Sequence, residues 1–272
     1  MSAHISHSAA AVSLTHLLPA RRGIDWQVKS TKYRTLTNTC TSHITDGFRS
    51  LIIIERAGTI EVHTDRWHDR AGTPQITVDT TGSDPVAALA AHVLRCTLPL
   101  LDKDRATETL RTAGPEQALA DRVEALAEVG FALIDAGAHP TSTIRPHGEG
   151  LEWASSKGGQ WWMQAIHPLA ALNLDYHGPI NGLYALLPAF LPPADGHTPT
   201  ETGTAFTRHL THRFPQLRPL NDDKVKFDGC QQPHGWIATS TDTSTAEDDT
   251  PVSAQFSDVG PDLLLTVVSH LL

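Results

Sequence analysis

The chain has 272 residues, is 40% hydrophobic and carries a formal net charge of −9. This length allows one large core or two or three small ones, and the composition excludes a disordered chain. The charge is uneven, since residues 1–100 carry +2, residues 101–200 carry −6 and residues 201–272 carry −5. Nucleic-acid binding needs a basic surface, so the last two segments argue against it.

The cysteine pattern and the apolar runs bear on the cellular location. Cys40, Cys96 and Cys230 are far apart and form no CxxC pair, which is typical of a reducing compartment. Residues 1–20 lack the basic start of a signal peptide, and no run approaches the ~18 apolar residues of a membrane span. We therefore expect a cytoplasmic protein that does not contact a membrane.

Residues 10–101 are predicted to form a first module. A short helix over Ala9–Leu18 is followed by runs typical of strands at Trp26–Tyr33, Ser50–Arg56, Thr59–Trp67 and Pro74–Asp79. Ala57-Gly58 is a tight-turn signal between the second and third of these runs. Pro85 then opens a closing helix whose buried stripe includes Leu89.

Residues 115–191 are predicted to form a second module, after a charged linker over Asp102–Arg111. Leu119, Val123, Leu126 and Val129 recur at helical spacing within a helix over Glu116–Leu133, which Gly130 could end. The segments that follow are a hairpin of Leu151–Ala154 and Gln160–Ile166, a strand at Asn173–Tyr176 and a closing helix at Ile180–Leu191.

Residues 204–272 repeat this order as a third module. A helix over Thr204–Phe214 precedes strands at Lys224–Phe227, Gly235–Ser240 and Val252–Phe256 and a closing helix at Asp258–Leu272. The predicted fold is therefore α+β, with three tandem helix–antiparallel strands–helix modules. If they are repeats, Leu89, Leu183 and Leu265 occupy one equivalent buried position.

Spaced Trp, Phe and Pro residues carry a family resemblance in the second and third modules. Trp236, the run from Pro251 to Phe256 and a Leu-rich helix after Gly260-Pro261 resemble the tandem SPDY-type domain of unknown function. That domain occurs in Streptomyces plasmid and integrative-element proteins. The second module is similar, although neither contains the Ser-Pro-Asp-Tyr string. The resemblance implies repeat architecture and an actinobacterial mobile-element setting, but no activity.

Chemical motifs are sparse. His63, Asp65, His68 and Asp69 cluster at a strand end, and His209 and His212 share a helix face, but neither set has the spacing of a zinc site. Neither a Gly-x-Ser-x-Gly string nor a catalytic cysteine signature is present. We predict no metal and no cofactor, and catalysis stays open, with the balance against an enzyme.

Binding residues can be suggested from aromatic and basic clusters. Trp161 and Trp162 must point to opposite faces of one strand, so one of them, together with Trp236, could anchor a protein contact. A basic cluster could contact nucleic acid through Arg21, Arg22, Lys29, Lys32 and Arg34. The favoured function is a non-enzymatic binding or assembly protein that contacts a protein partner or a second copy. The alternatives are a hydrolase with a His/carboxylate site and a nucleic-acid binder.

Overall fold

The computed structural model describes residues 8–29, 39–64, 74–145, 148–165, 171–193, 203–227, 233–239 and 247–272. The described chain is mixed helix and strand with two antiparallel sheets, so the α+β prediction is confirmed. It divides into two compact units, residues 1–97 and residues 98–272.

The first unit is a five-stranded meander with helices. Helix α1 (Ala9–Leu17) begins after Ser8, whose hydroxyl accepts a hydrogen bond from the Ala11 amide at 3.0 Å. The strands pair in chain order, and they are β1 (Gln27–Lys29), β2 (Cys40–Thr45), β3 (Ser50–Arg56), β4 (Thr59–Thr64) and β5 (Ile76–Asp79). Helix α2 (Pro85–His92) closes the unit through a π-helical turn at Val93–Thr97. The predicted Ala57-Gly58 turn is present, with Gly58 at φ 88°.

The second unit is built on an eight-stranded sheet. Helices α3 (Leu98–Thr112) and α4 (Pro115–Asp135) precede strands β6 (Thr141–Arg145), β7 (Gly148–Ala154), β8 (Gln160–Ala165) and β9 (Leu172–Pro179). Helices α5 (Leu187–Phe190) and α6 (Ala205–Arg213) come next. They are followed by β10 (Arg218–Asn221), β11 (Lys224–Phe227), β12 (His234–Thr239), β13 (Pro251–Val259) and α7 (Pro261–Val267).

The strand order joins the two predicted modules of this unit in one sheet. It runs β10-β11-β12-β13-β9-β8-β7-β6, and β13 pairs antiparallel with β9. The division into three tandem modules with boundaries 10–101, 115–191 and 204–272 is therefore not confirmed.

One face of the large sheet forms the core of the second unit. The side chains of Trp153, Trp161 and Tyr176 are buried in adjacent strands, with Trp161 and Tyr176 ring centroids 4.5 Å apart. The Trp153 indole N–H donates a hydrogen bond to the Leu271 carbonyl at 3.0 Å. This bond connects the sheet to the C-terminal segment, which follows α7 and contacts α4.

Three predicted boundaries differ from the structure. Residues Asp102–Arg111, predicted as a linker, lie within α3. Gly130 lies inside α4 and does not end it. Its lack of a side chain allows a close approach to β7, since an added Cβ would lie 2.9 Å from Leu151 Cδ1. The predicted helix over Ile180–Leu191 is a 3₁₀ turn at Ile180–Gly182 followed by turns and the four-residue α5.

Two predicted core positions are also wrong. Leu119 is 50% exposed, and Phe131 and Ile134 of the same helix are 66% and 52% exposed. Leu264 is fully buried, whereas Leu265 is only half-buried. The buried position in α7 is thus one residue earlier than the repeat predicts.

Among the described residues, one helical segment is long and apolar enough to cross a membrane by length and composition, namely Pro85–Thr112. Half of its most apolar window is buried within the protein, and a buried core helix meets the same criterion. The segment is therefore weak evidence for a membrane span.

Candidate binding face of the large sheet

The second face of the eight-stranded sheet is polar and reaches solvent. Residues directly opposite one another in antiparallel strands carry their side chains on the same face. The strand registers place six half-buried side chains of the inner strands in one line across the sheet. This central row consists of Lys226, Trp236, Gln255, Asp175, Trp162 and Glu152. The line continues to the exposed residues Arg218 in β10 and Thr141 in β6. Exposed residues on the same polar face include Ala154, Gln160, His177 and His234.

Hydrogen bonds join the middle of the central row. The Trp236 indole N–H donates to Gln255 Oε1 at 3.1 Å, and Gln255 Nε2 donates to Asp175 Oδ1 at 3.1 Å. Lys224 Nζ lies 3.7 Å from the centroid of the Trp236 ring, in cation–π geometry. These contacts hold the Trp236 ring in one orientation, which lowers the entropy lost when the ring meets a partner.

The registers contain a local two-fold relation between the two halves of the sheet. The pair Leu174–Phe256 has its counterpart in Ala254–Tyr176, so exchanging β9 and β13 reproduces the pairing. The centre of the relation is the pair Asp175–Gln255. The burial of the side chains obeys the same relation. Residues 172–176 and residues 252–256 show the same alternation of buried and half-buried side chains.

The two-fold relation places the two tryptophans of the polar face at equivalent positions. Trp162 is directly opposite Asp175, and Trp236 is directly opposite Gln255. Three strand spacings of ~4.8 Å separate them, so the rings stand ~14 Å apart across the sheet. A β-bulge in β13 between Phe256 and Val259 adds one residue to the second half. Counting that residue, the 80-residue separation of Asp175 and Gln255 aligns Leu183 with the buried Leu264.

The two halves of the sheet differ in charge at the ends of the central row. Glu152 is directly opposite Trp162, and Lys226 is directly opposite Trp236, so equivalent positions carry opposite charges. Gln160 Nε2 donates to Glu152 Oε1 at 2.9 Å. One end of the central row is therefore acidic and the other basic, with the tryptophans between them.

The structure separates the three predicted contact tryptophans. Trp161 is 1% exposed and packs between Trp153 and Tyr176, so it is a core residue and cannot anchor a partner. Trp162 and Trp236 are half-buried on the polar face. The sequence analysis missed Gln255, Asp175 and the charged ends of the row, although strand alternation signals their outward position.

The predicted basic cluster is only partly on the surface. Arg21 is 8% exposed, and Arg22 is half-buried with its guanidinium 5.0 Å from the centre of the Phe48 ring. Lys29 is exposed, and Lys32 and Arg34 lie outside the described residues. Burial of Arg21 removes one of the five proposed phosphate contacts.

The histidine clusters show structural contacts. His63 is buried, with Nε2 3.1 Å from Glu61 Oε2, while Asp65, His68 and Asp69 lie outside the described residues. His209 Nε2 is 2.8 Å from the Tyr184 hydroxyl, beside a shallow depression of about 600 Å³ that Arg208, His212 and Arg213 also line. In the part of the chain that the structure describes, no group of three or more His, Cys, Asp or Glu side chains is placed to hold a metal ion.

A serine and a histidine meet on the polar face. Ser253 Oγ and His177 Nδ1 are 2.9 Å apart on directly opposite residues of β13 and β9. Both strands are interior, so their backbone N–H groups are engaged in the flanking ladders and supply no oxyanion hole. The pair is a cross-strand contact between two interior strands.

Comparisons of the chain with protein-family models, with curated proteins and with solved structures find no significant match. The resemblance to the tandem SPDY-type domain therefore stays a prediction.

Proposed function

We propose that this chain is a non-enzymatic binding or assembly protein, and that the polar face of the large sheet is its protein-contact surface. The observation that carries the proposal is the central row itself. Two tryptophans stand at equivalent positions on either side of the hydrogen-bonded pair Gln255–Asp175.

The composition of the row supports a protein contact. Tryptophan is enriched among the residues that dominate binding energy in protein interfaces, where it lies near the centre and charged residues lie toward the rim. The central row has this arrangement, because Trp162 and Trp236 are inside and Glu152 and Lys226 are at the two ends. A nucleic acid would meet the carboxylates of Glu152 and Asp175 beside Lys224 and Lys226, so this face is not the continuous basic surface that phosphates require.

We further propose that the two halves of the sheet are copies of one module, as the tandem-repeat and mobile-element predictions imply. The equivalence of Trp162 with Trp236, and of Leu183 with Leu264, supports this. The first module is not part of this relation, because its five strands form a separate sheet.

A hydrolase is the second candidate, and the Ser253–His177 contact of 2.9 Å is the observation that favours it. It predicts labelling of Ser253 by a phosphonofluoridate probe, with loss of labelling in His177→Gln. We expect no labelling, because the interior strands offer no donors for a developing oxyanion.

Site-specific photo-crosslinking tests the binding proposal. A photoreactive amino acid replaces Gln160 on the polar face in cells of the native host, and a matched variant carries it at Phe131 on the exposed side of α4. We expect discrete protein adducts from position 160 and few from position 131. Nucleic-acid adducts, or equal adducts from both positions, would overturn the proposal.

A further inference from the structure

We infer that the partner of the polar face is a second copy of this chain, packed face to face about a two-fold axis that runs parallel to the strands. This inference rests on the proposed function, because it names the occupant of the same surface. It follows from the order of side chains in the central row. When the row is placed against a reversed copy of itself, each side chain faces one that it can bind.

The rotation places each residue of the row over its two-fold counterpart in the other copy. Read from one end, the row is Lys, Trp, Gln, Asp, Trp, Glu, and read from the other end it is Glu, Trp, Asp, Gln, Trp, Lys. Lys226 therefore meets Glu152 of the second copy, and Gln255 meets Asp175. The remaining contact stacks Trp236 on Trp162.

Every pair so formed is favourable. The Lys226–Glu152 contact occurs twice and joins opposite charges, and the amide of Gln255 can donate to the carboxylate of Asp175. The tryptophan pairs bury large aromatic surfaces at the centre of the interface. Two sheets packed in this way lie ~10 Å apart with their strands within about 30° of one another.

The alternatives to a second copy fit the row less well. A partner that is acidic throughout would be repelled by Glu152 and Asp175, and a basic partner would be repelled by Lys224 and Lys226. A partner must therefore carry both charges, about 24 Å apart by five strand spacings, and in reversed order. The chain itself has this pattern.

Charge reversal and mixing test the inference on the purified full chain. We measure mass by sedimentation equilibrium from ~1 µM to ~100 µM, the range expected for interfaces of modest area. The unmodified chain should form dimers. Lys226→Glu and Glu152→Lys should each be monomeric alone, because each places like charges in contact twice. Their equimolar mixture should dimerise, because both charge pairs are then restored.

Two further variants keep the test decisive. Lys157→Glu reverses an exposed charge in the turn between β7 and β8 and should dimerise like the unmodified chain. The doubly reversed chain, Glu152→Lys with Lys226→Glu, should dimerise by itself, and it is the readout if one single variant does not fold.

A monomeric unmodified chain across this range would overturn the inference, as would single reversals that behave like Lys157→Glu. If crosslinking from position 160 then captures a different protein, the binding proposal stands and only the second copy is wrong. If position 160 gives no adduct at all, both the binding proposal and the inference of a second copy are wrong.

Discussion

Gln255 and Asp175 are direct register partners at the centre of the eight-stranded sheet, and the Gln255 amide donates to the Asp175 carboxylate at 3.1 Å. The bond joins β13 to β9, although the two residues are 80 positions apart in the sequence. It marks the centre of the local two-fold relation, and it lies between the two tryptophans of the polar face. A structural junction and the proposed contact surface are therefore formed by the same residues.

The burial difference within α7 predicts a difference in stability. Leu264 is fully buried and Leu265 is half-buried. Leu264→Ala should lower the free energy of unfolding by ~2–5 kcal/mol, because it removes buried methyl groups and leaves a cavity. Leu265→Ala should cost clearly less. Urea denaturation of both variants measures this, and equal losses would contradict the difference in burial between Leu264 and Leu265.

The buried indole bond of Trp153 predicts a second stability effect. Trp153→Phe leaves the Leu271 carbonyl without its donor at 3.0 Å, which should cost ~1–3 kcal/mol in addition to the lost ring volume. Trp236→Phe is the matched control, because its donor lies on the half-exposed polar face. The midpoints of urea denaturation should fall much further for Trp153→Phe. A similar fall for both would contradict this account.

Two tyrosines with raised pKa values predict loss of stability at high pH. Burial raises the pKa of Tyr176 to about 12, and burial, together with a hydrogen bond to Asp248, raises the pKa of Tyr184 to about 12. The folded protein therefore favours the neutral phenols, whose ordinary pKa is 10.0. Their contribution to stability is complete below pH 10 and is lost as the pH rises to about 12.

Absorbance titration of the phenolates measures this directly, with Tyr176→Phe as the variant that removes one late-ionising group. Ionisation of Tyr176 and Tyr184 near pH 10 in the folded chain would contradict the raised pKa values.

A buried ion pair predicts a large effect in the first unit. Asp46 accepts hydrogen bonds from Arg49 Nε at 2.8 Å and Nη2 at 2.7 Å, and both side chains are at most 4% exposed. Asp46→Ala should destabilise by ~3–5 kcal/mol, because the Arg49 charge stays buried without this carboxylate. The exposed pair Glu108–Arg111 is the comparison, and Glu108→Ala should leave the melting temperature unchanged. Equal effects would contradict the role of burial.

Much of the secondary structure follows from local patterns. Strands β3 and β4 and the turn at Gly58 were predictable, because apolar alternation and a tight-turn signal act within a few residues. Helix α3 was not predicted, because the charged residues of Asp102–Arg111 were interpreted as a linker. Polarity alone does not reveal the helical propensity of this segment. Gly130 was misassigned because a close contact with Leu151 needs a glycine as much as a helix end does.

The candidate surface was predictable only in part. Alternation requires Trp161 and Trp162 to face opposite sides, and this placed one ring outside the core. The pairing of β9 with β13 could not be predicted, because no local signal states which strand edges meet. The central row depends on that pairing, so the alignment of Lys226 and Glu152 with the tryptophans emerges only from the fold.

The most direct test of the polar face as a contact surface is the dissociation constant of association for Trp162→Ala, measured by sedimentation beside the melting temperature. We predict association weakened by ~30-fold or more, equivalent to ~2 kcal/mol at an anchor residue, with a small change in melting temperature. Unchanged association accompanied by a large fall in melting temperature would show that Trp162 is structural, and would contradict the account.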